Sequence, residues 1–150
     1  MTIRKISPQF YVSEQISSAD VGAIAAQGVM TIICNRPGNE SPGQPASSEI
    51  AAAAQRIGIS FVDLPIEPGL ITDDDIDDFE RARHDARGPV LAYCRSGARS
   101  ISLWALASAQ NLDVDSILSA ARRAGYDLAP MRSRLDTRAL MDGTAGSKQP

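Results

Sequence analysis

The sequence contains little cysteine and almost no histidine. It has two cysteines, Cys34 and Cys94, and one histidine, His84, in 150 residues. A structural zinc site uses about four Cys or His ligands, and this chain has only three such side chains. Two cysteines also do not form a disulfide framework, which favours a reduced, cytoplasmic protein. We therefore expect no metal site and no cofactor.

The sequence also lacks an excess of one charge and a long apolar run. It has 15 Lys and Arg residues against 18 Asp and Glu residues, a formal net charge of -3. Such a balance gives no general support to nucleic-acid binding. No run approaches about 18 apolar residues, so no membrane span is predicted. Residues 1–8 contain no apolar h-region, and we expect no secretory signal.

What is present is an alternation of strand and helix patterns. Continuous apolar runs predict strands buried on both faces, as in a parallel sheet. The predicted strands are residues 9–12, 29–34, 59–66 and 90–93. The predicted helices are residues 19–27, 47–57, 72–86, 100–109, 113–124 and a last one capped by Asp127. This order predicts an α/β protein: a single three-layer domain over residues 1–140, with a mainly parallel sheet flanked by helices, and a flexible tail at 141–150.

The segment after the last predicted strand carries the strongest functional signal. Cys94 ends that strand and is followed by Arg-Ser-Gly-Ala-Arg-Ser before a helix. The backbone N–H groups of such a turn converge above the sulfur, and Gly97 permits a left-handed backbone. Arg95 and Arg99 add positive charge, which favours the nucleophilic thiolate. We predict that Cys94 and Arg99 are catalytic. The predicted anion-binding residues are Arg95, Ser96, Gly97, Ala98 and Ser100.

A second loop is expected at the same edge of the sheet, because it leaves another buried strand, 29–34, of the predicted parallel sheet. Arg36 in this loop either binds an anionic substrate or fastens a neighbouring loop through Glu40. Cys34 at the end of the strand is either a small buried residue or a redox partner of Cys94. A redox pair requires the two strands to be adjacent and the two thiols to face each other.

These motifs resemble those of known families. Residues 90–100 are similar to the active-site loops of cysteine-based phosphatases and rhodaneses. A wider resemblance, over about residues 9–110, is to the phosphatase-like domain of the β-lactamase-hydrolase-like family. It is carried by residues 32–40, by Leu64-Pro65-Ile66 and by Leu103-Trp104-Ala105. The resemblance implies a tyrosine-phosphatase-like fold. It also suggests a metallo-β-lactamase-fold persulfide dioxygenase as partner, because family members are sometimes fused to a domain of that fold.

The spacing within the loop bears on the reaction. Tyrosine-phosphatase-type loops carry Cys, five residues and Arg, whereas Arg99 follows Cys94 after four residues. The shorter loop resembles that of single-turnover rhodaneses. Phosphatases of this type also need an acid for the leaving group. The loop after strand 59–66 offers Glu67, which is either that general acid or a solvated loop residue.

Both observations favour sulfur transfer over phosphoryl transfer. The predicted protein is a sulfurtransferase in which Cys94 forms a persulfide and passes sulfane sulfur to a thiol or cyanide. Two alternatives remain: a phosphatase with a phosphocysteine intermediate, and a non-catalytic anion-binding or regulatory domain. The expected substrate is a small anionic sulfur or phosphate compound.

Overall fold

The computed structural model describes residues 1–147, with side chains for residues 1–141. Its strands are β1 (Ile3–Ser7), β2 (Phe10–Ser13), β3 (Thr31–Cys34), β4 (Ser60–Asp63) and β5 (Val90–Tyr93). Its α-helices are α1 (Val21–Ala26), α2 (Ser47–Arg56), α3 (Asp73–Asp85), α4 (Ala98–Ser108), α5 (Val114–Arg123) and α6 (Arg132–Ser147). Short 3-10 turns occupy Ser18–Asp20 and Ala129–Met131.

The strands form one sheet in the order β1-β2-β5-β3-β4. Strands β2, β5, β3 and β4 run parallel, and β1 pairs antiparallel with β2. The register aligns Tyr93 at the end of β5 with Ser13 on one side and Cys34 on the other. The loops that follow β2, β3 and β5 therefore leave the sheet side by side. This arrangement places the predicted functional loops at one edge.

The two faces of the sheet bury two separate apolar clusters, because successive strand residues point to opposite faces. Ile33 and Ala92 lie in the cluster covered by α3, α4, α5 and α6. Leu91 and Tyr93 lie in the cluster covered by α1 and α2. The predicted three-layer α/β architecture with a mainly parallel sheet is confirmed.

Strand β1 was not predicted from the sequence. It is a half-exposed edge strand, in which Arg4 and Lys5 are exposed and only Ile6 is buried. Its pattern therefore lacks the continuous apolar run that marks a strand covered on both faces. It forms because a short turn folds it back onto β2 as an antiparallel neighbour.

Several predicted boundaries were also wrong, by two or three residues. Strand β3 begins at Thr31 rather than residue 29, and β4 ends at Asp63 rather than residue 66. The N–H group of Leu64 donates to Cys34 O at 2.8 Å and that of Ile66 to Asn35 O at 3.0 Å, so this chain stays beside the loop after β3. Helix α4 begins at Ala98 rather than residue 100. Val29 and Ile66, which the apolar runs included, are buried although they lie outside the strands.

The predicted flexible tail at residues 141–150 stays a prediction. Helix α6 continues to Ser147. Residues 148–150 and the side chains of residues 142–147 lie outside the described part of the chain.

An aromatic cluster gives a test of the larger core. Phe10 is fully buried, stacks on Trp104 with ring centroids 6.2 Å apart, and meets Phe79 edge-on at 5.8 Å. We expect Phe10→Ala to lower the free energy of unfolding by roughly 3–5 kcal/mol, because it leaves a cavity in a packed core. Urea denaturation measures this value. Leu70→Ala is the control, since Leu70 is 61% exposed, and a comparable loss in both variants would contradict the assignment.

Candidate active site

The loop from β5 to α4 turns around the Cys94 sulfur. Cys94 is fully buried, directly after β5. The backbone N–H group of Gly97 donates to its Sγ at 3.1 Å. Gly97 has φ +97° and stands immediately before α4, a conformation that side chains rarely adopt. The predicted left-handed turn is present, and it directs the Gly97 N–H at the sulfur.

Further backbone donors of this loop are available to an anion. Within the described part of the chain, four of its N–H groups donate to no protein acceptor. They belong to Arg95, Ser96, Arg99 and Ser100. Two of these residues lie in the first turn of α4, where the helix dipole also favours negative charge. The loop therefore has the donor set of an oxyanion site built around a cysteine.

Arg99 is held in place by an acid from another loop. Its Nη1 and Nη2 donate to the two carboxylate oxygens of Glu40 at 2.7 and 3.0 Å, and Nη1 also donates to Ile66 O at 3.0 Å. Hydrogen bonding with Glu40 raises the pKa of Arg99, and negative charge on Cys94 raises it further. Arg99 therefore lies near the sulfur, fixed and charged.

The contacts of Arg99 leave one edge of its guanidinium unused. A guanidinium has five N–H donors, and three are used by Glu40 and Ile66. The Nε–H and the second Nη2–H donate to no oxygen of the described residues, and the side chain also interacts with Cys94. These two donors lie side by side and match two oxygens of a phosphate.

Arg36 connects two neighbouring loops through its guanidinium. It is 5% exposed, and its Nε donates to Glu40 Oε1 at 2.9 Å. Its Nη1 donates to Gln15 Oε1 at 3.0 Å and its Nη2 to Ser41 Oγ at 3.1 Å. Of the two roles considered for Arg36, the structure shows the fastening one. Three of its five N–H donors have protein acceptors, and anion binding by Arg36 stays a prediction.

The other predicted loop residues differ in what their side chains do. Arg95 and Ala98 are exposed, and the Arg95 side chain makes no hydrogen bond or ion pair with any described residue. Ser96 Oγ accepts the Ala98 N–H at 3.3 Å. Ser100 is buried and its hydroxyl donates to Asn35 Oδ1 at 2.8 Å. The Ser100 hydroxyl therefore points to a neighbouring loop, and the predicted anion-binding role of Ser100 concerns its backbone N–H.

Glu67 is exposed at the start of a tight turn beside the loop. Pro68 and Gly69 form the corners of this turn, with Gly69 at φ +76°, and the Leu70 N–H returns to Glu67 O at 3.2 Å. This is the pattern of a type II turn. The preceding residue, Ile66, accepts from Arg99, so the backbone at Glu67 lies next to the arginine. The position suits an acid at the rim of the site.

Cys34 and Cys94 are on adjacent strands but face apart. Cys34 pairs with Tyr93, one residue before Cys94, and successive side chains alternate faces. The Cys34 thiol donates to Arg36 O at 3.5 Å, and burial together with the Asp63 carboxylate raises its pKa. Both cysteines are free. The geometry opposes the redox pairing considered for Cys34.

Three residues of this site were missed from the sequence: Gln15, Asn35 and Tyr126. Asn35 Oδ1 accepts a hydrogen bond from the Ser100 hydroxyl, and Asn35 Nδ2 donates to Leu64 O at 2.9 Å. Asn35 thus joins two loops. Its position directly after a buried strand was the available signal. Tyr126 donates to Ser96 O at 2.9 Å from a segment far along the chain. No local pattern marks such a contact.

A cavity of about 420 Å³ adjoins the start of α4. Arg99 forms part of its wall, together with the apolar side chains of Ile71, Pro130 and Met131. Arg134 lines it as well. The arginine of the anion loop thus also borders a space with mainly apolar walls.

The described residues contain no group of three or more His, Cys, Asp or Glu side chains that could hold a metal ion. None of the helices in this part of the chain is long and apolar enough to cross a membrane.

The fold, with a buried cysteine after a central parallel strand and an arginine nearby, is that of a phosphatase-like domain. Residues 2–111 match the family described as beta-lactamase hydrolase-like protein, phosphatase-like domain, and the chain belongs to that family. A beta-lactamase hydrolase-like protein of Agrobacterium fabrum is 32% identical over 129 residues, covering 83% of this chain and 29% of that protein. A protein of the same description from Xylella fastidiosa is 31% identical over 142 residues, covering 93% and 33%. The chain thus spans about a third of the length of these curated relatives.

Solved structures agree with the family. A candidate phosphatase of Neisseria meningitidis is 37% identical, with a TM-score of 0.83, and the match covers 92% of this chain and 99% of that one. The P. aeruginosa protein TpbA, in a cysteine-to-serine form complexed with phosphotyrosine, is 18% identical with a TM-score of 0.66, covering 94% and 90%. The latter shows likeness of fold alone. The predicted family and the tyrosine-phosphatase-like fold are confirmed.

The predicted sulfurtransferase activity is wrong. The family is described as phosphatase-like, and the 37% identical structure from Neisseria meningitidis is that of a candidate phosphatase. The prediction was based on the number of residues between Cys94 and Arg99. That number does not show where the Arg99 guanidinium lies relative to the sulfur.

The carboxylate of Glu40, which both Arg36 and Arg99 contact, makes a testable contribution to the stability of the fold. Hydrogen bonding from Arg99 is the main cause that lowers the pKa of Glu40 below its ordinary value of 4.5, and Arg36 adds to it. Such a group stabilises the fold above its unfolded pKa, and the contribution is lost as pH falls through the folded pKa. We expect Glu40→Gln to be less stable than wild type at pH 7, with a gap that narrows as the pH falls below about 4.5. Thermal melts across this range measure it.

The control for this experiment is Glu49→Gln, an exposed acid in the first turn of α2. It should follow the wild-type profile. A Glu40→Gln variant whose stability parallels wild type at every pH would contradict the role given to the ion pair.

Proposed function

We propose that this domain is a cysteine-dependent phosphatase acting on small phosphate monoesters. One observation carries the proposal: the buried Cys94 sulfur lies among backbone donors, close to an arginine that keeps two adjacent N–H groups free. These donors suit the nonbridging oxygens of a phosphoryl group placed over the sulfur. A group of that size and charge is what the family description also indicates.

The reaction proceeds in two displacements. The Cys94 thiolate attacks phosphorus, an S–P bond forms, and the P–O bond to the alcohol breaks. Glu67, in its protonated form, gives the departing oxygen its proton. Water then attacks phosphorus while the Glu67 carboxylate accepts a proton, a new P–O bond forms, and the S–P bond breaks. This restores the Cys94 thiolate and releases inorganic phosphate. Arg99 and the loop N–H groups stabilise the charge on the phosphoryl oxygens in both steps.

The cavity beside Arg99 favours an organic monoester with an apolar alcohol. Ile71, Pro130 and Met131 offer such a group a surface next to the phosphoryl site. The complex of TpbA with phosphotyrosine shows that a protein of this fold holds an aryl phosphate. We include phosphotyrosine and other aryl phosphates in the proposed substrate class.

A thiolate nucleophile works only while it is reduced, so the proposal places the domain in a reducing compartment such as the cytoplasm. The predicted partner, a metallo-β-lactamase-fold persulfide dioxygenase, stays a prediction.

The nucleophile is tested by exchanging each cysteine. We expect Cys94→Ser to reduce p-nitrophenyl phosphate hydrolysis by at least roughly a thousandfold, since an alcohol cannot replace the thiolate. Cys34→Ser should stay active, because Cys34 faces the opposite side of the sheet. Steady-state rates and mass spectrometry of a trapped phosphocysteine measure this. Wild-type protein that binds phosphate but turns over neither aryl nor alkyl phosphates would instead indicate a binding domain.

The general acid is tested by varying the leaving group. We expect Glu67→Gln to slow hydrolysis of an alkyl phosphate by about 10²- to 10⁴-fold, the usual contribution of a positioned acid. The effect on p-nitrophenyl phosphate should be much smaller, because p-nitrophenolate leaves without a proton. Glu49→Gln is the matched control. Equal losses on both substrates would remove Glu67 from this role.

A further inference from the structure

The Ser96–Gly97 peptide group is held from both sides. On its outer side, the Ser96 carbonyl accepts a hydrogen bond from the Tyr126 hydroxyl at 2.9 Å. On its inner side, the Gly97 N–H donates to Cys94 Sγ at 3.1 Å. The carbonyl and the N–H of a trans peptide belong to one rigid plane and point in opposite directions. Fixing the carbonyl outward therefore fixes the N–H inward, toward the sulfur.

Tyr126 is itself anchored independently of the loop. Its backbone N–H donates to Ala121 O at 2.9 Å, at the end of α5. The guanidinium of Arg4 lies over its ring, 5.7 Å from the centroid, and Arg4 Nη1 donates to Ala124 O at 3.0 Å. Burial raises the pKa of Tyr126, so the hydroxyl keeps its proton and remains a donor.

Close packing reinforces the contact. A Cβ added at Gly97 would overlap the Tyr126 hydroxyl and come within 2.9 Å of Val12 Cγ1. The loop backbone is thus confined between β2 and the segment after α5. That segment lies beyond residues 2–111, the part of the chain that matches the family.

We propose that Tyr126 is a positioning residue for the nucleophile: by holding the Ser96 carbonyl, it directs the Gly97 N–H at the Cys94 sulfur. The chain of hydrogen bonds from hydroxyl through peptide to sulfur also polarises the peptide, which strengthens its donation to a thiolate. Tyr126 acts through the loop and does not touch substrate. The inference concerns the catalytic role proposed above, but its main readout does not require turnover.

The test removes only the hydroxyl, with Tyr126→Phe. It is made in a Cys34→Ser background, so that the ultraviolet absorbance of the thiolate reports on Cys94 alone. We expect the midpoint of thiolate formation to move to higher pH by about 0.5–1 unit, the equivalent of one ordinary hydrogen bond. For p-nitrophenyl phosphate, kcat/KM measured below both midpoints should fall by about 3- to 10-fold, following the lost thiolate fraction. It should recover toward wild type above them.

The matched control is Tyr11→Phe, because the Tyr11 hydroxyl makes no hydrogen bond with any described residue. It should leave the midpoint unchanged. A Tyr126→Phe midpoint equal to wild type overturns the inference, even if the variant is less stable in a thermal melt. A shifted midpoint in a protein without phosphatase activity supports the inference while removing the proposed function, so the two failures are distinguishable.

Discussion

One carboxylate, that of Glu40, holds together the loops on which the site depends. It accepts from Arg99 of the anion loop and from Arg36 of the loop after β3. Arg36 in turn donates to Gln15, in the loop after β2, whose backbone N–H reaches Arg95 O at 3.2 Å. Three loops from three neighbouring strands are therefore linked by one network. Without the carboxylate, two partly buried guanidinium groups would face each other uncompensated, which is strongly unfavourable.

The same network explains how a loop with four intervening residues accommodates an arginine suited to phosphate. Arg99 lies in the first turn of α4, and its side chain extends from there to Glu40 and Ile66. Glu40 and Ile66 use the ends of the guanidinium and leave the Nε and Nη2 edge free. What matters for phosphate is where that edge is held, and a neighbouring loop decides it. Counting residues between Cys94 and Arg99 could not supply this information, which is why the predicted reaction was wrong.

The fold could be predicted where a strand is buried along its whole length. The site could be predicted where its residues are close together in sequence. Strands β3 and β5, and the loop from Cys94 to α4 with Gly97 as its turning point, follow from apolar runs and backbone stereochemistry. Strand β1 did not, because an edge strand with Arg4 and Lys5 exposed has no such run. The sequence analysis stated that a redox pair of Cys34 and Cys94 requires adjacent strands, and β3 and β5 are adjacent. The register pairs Cys34 with Tyr93 and so places the two thiols on opposite faces, and this register is defined only in the assembled sheet.

The contacts that sequence reasoning could not reach are those between distant segments, and they fall on the least adaptable part of the site. Gly97 has a left-handed backbone and is confined by Val12 on one side and Tyr126 on the other. Backbone geometry alone would favour glycine there, since other residues adopt that φ at a cost. The packing adds a second, independent reason, because even a methyl group would displace the tyrosine that holds the Ser96 carbonyl. The direction of a single N–H group at the sulfur thus depends on residues more than a hundred positions apart, from β2 to the segment after α5.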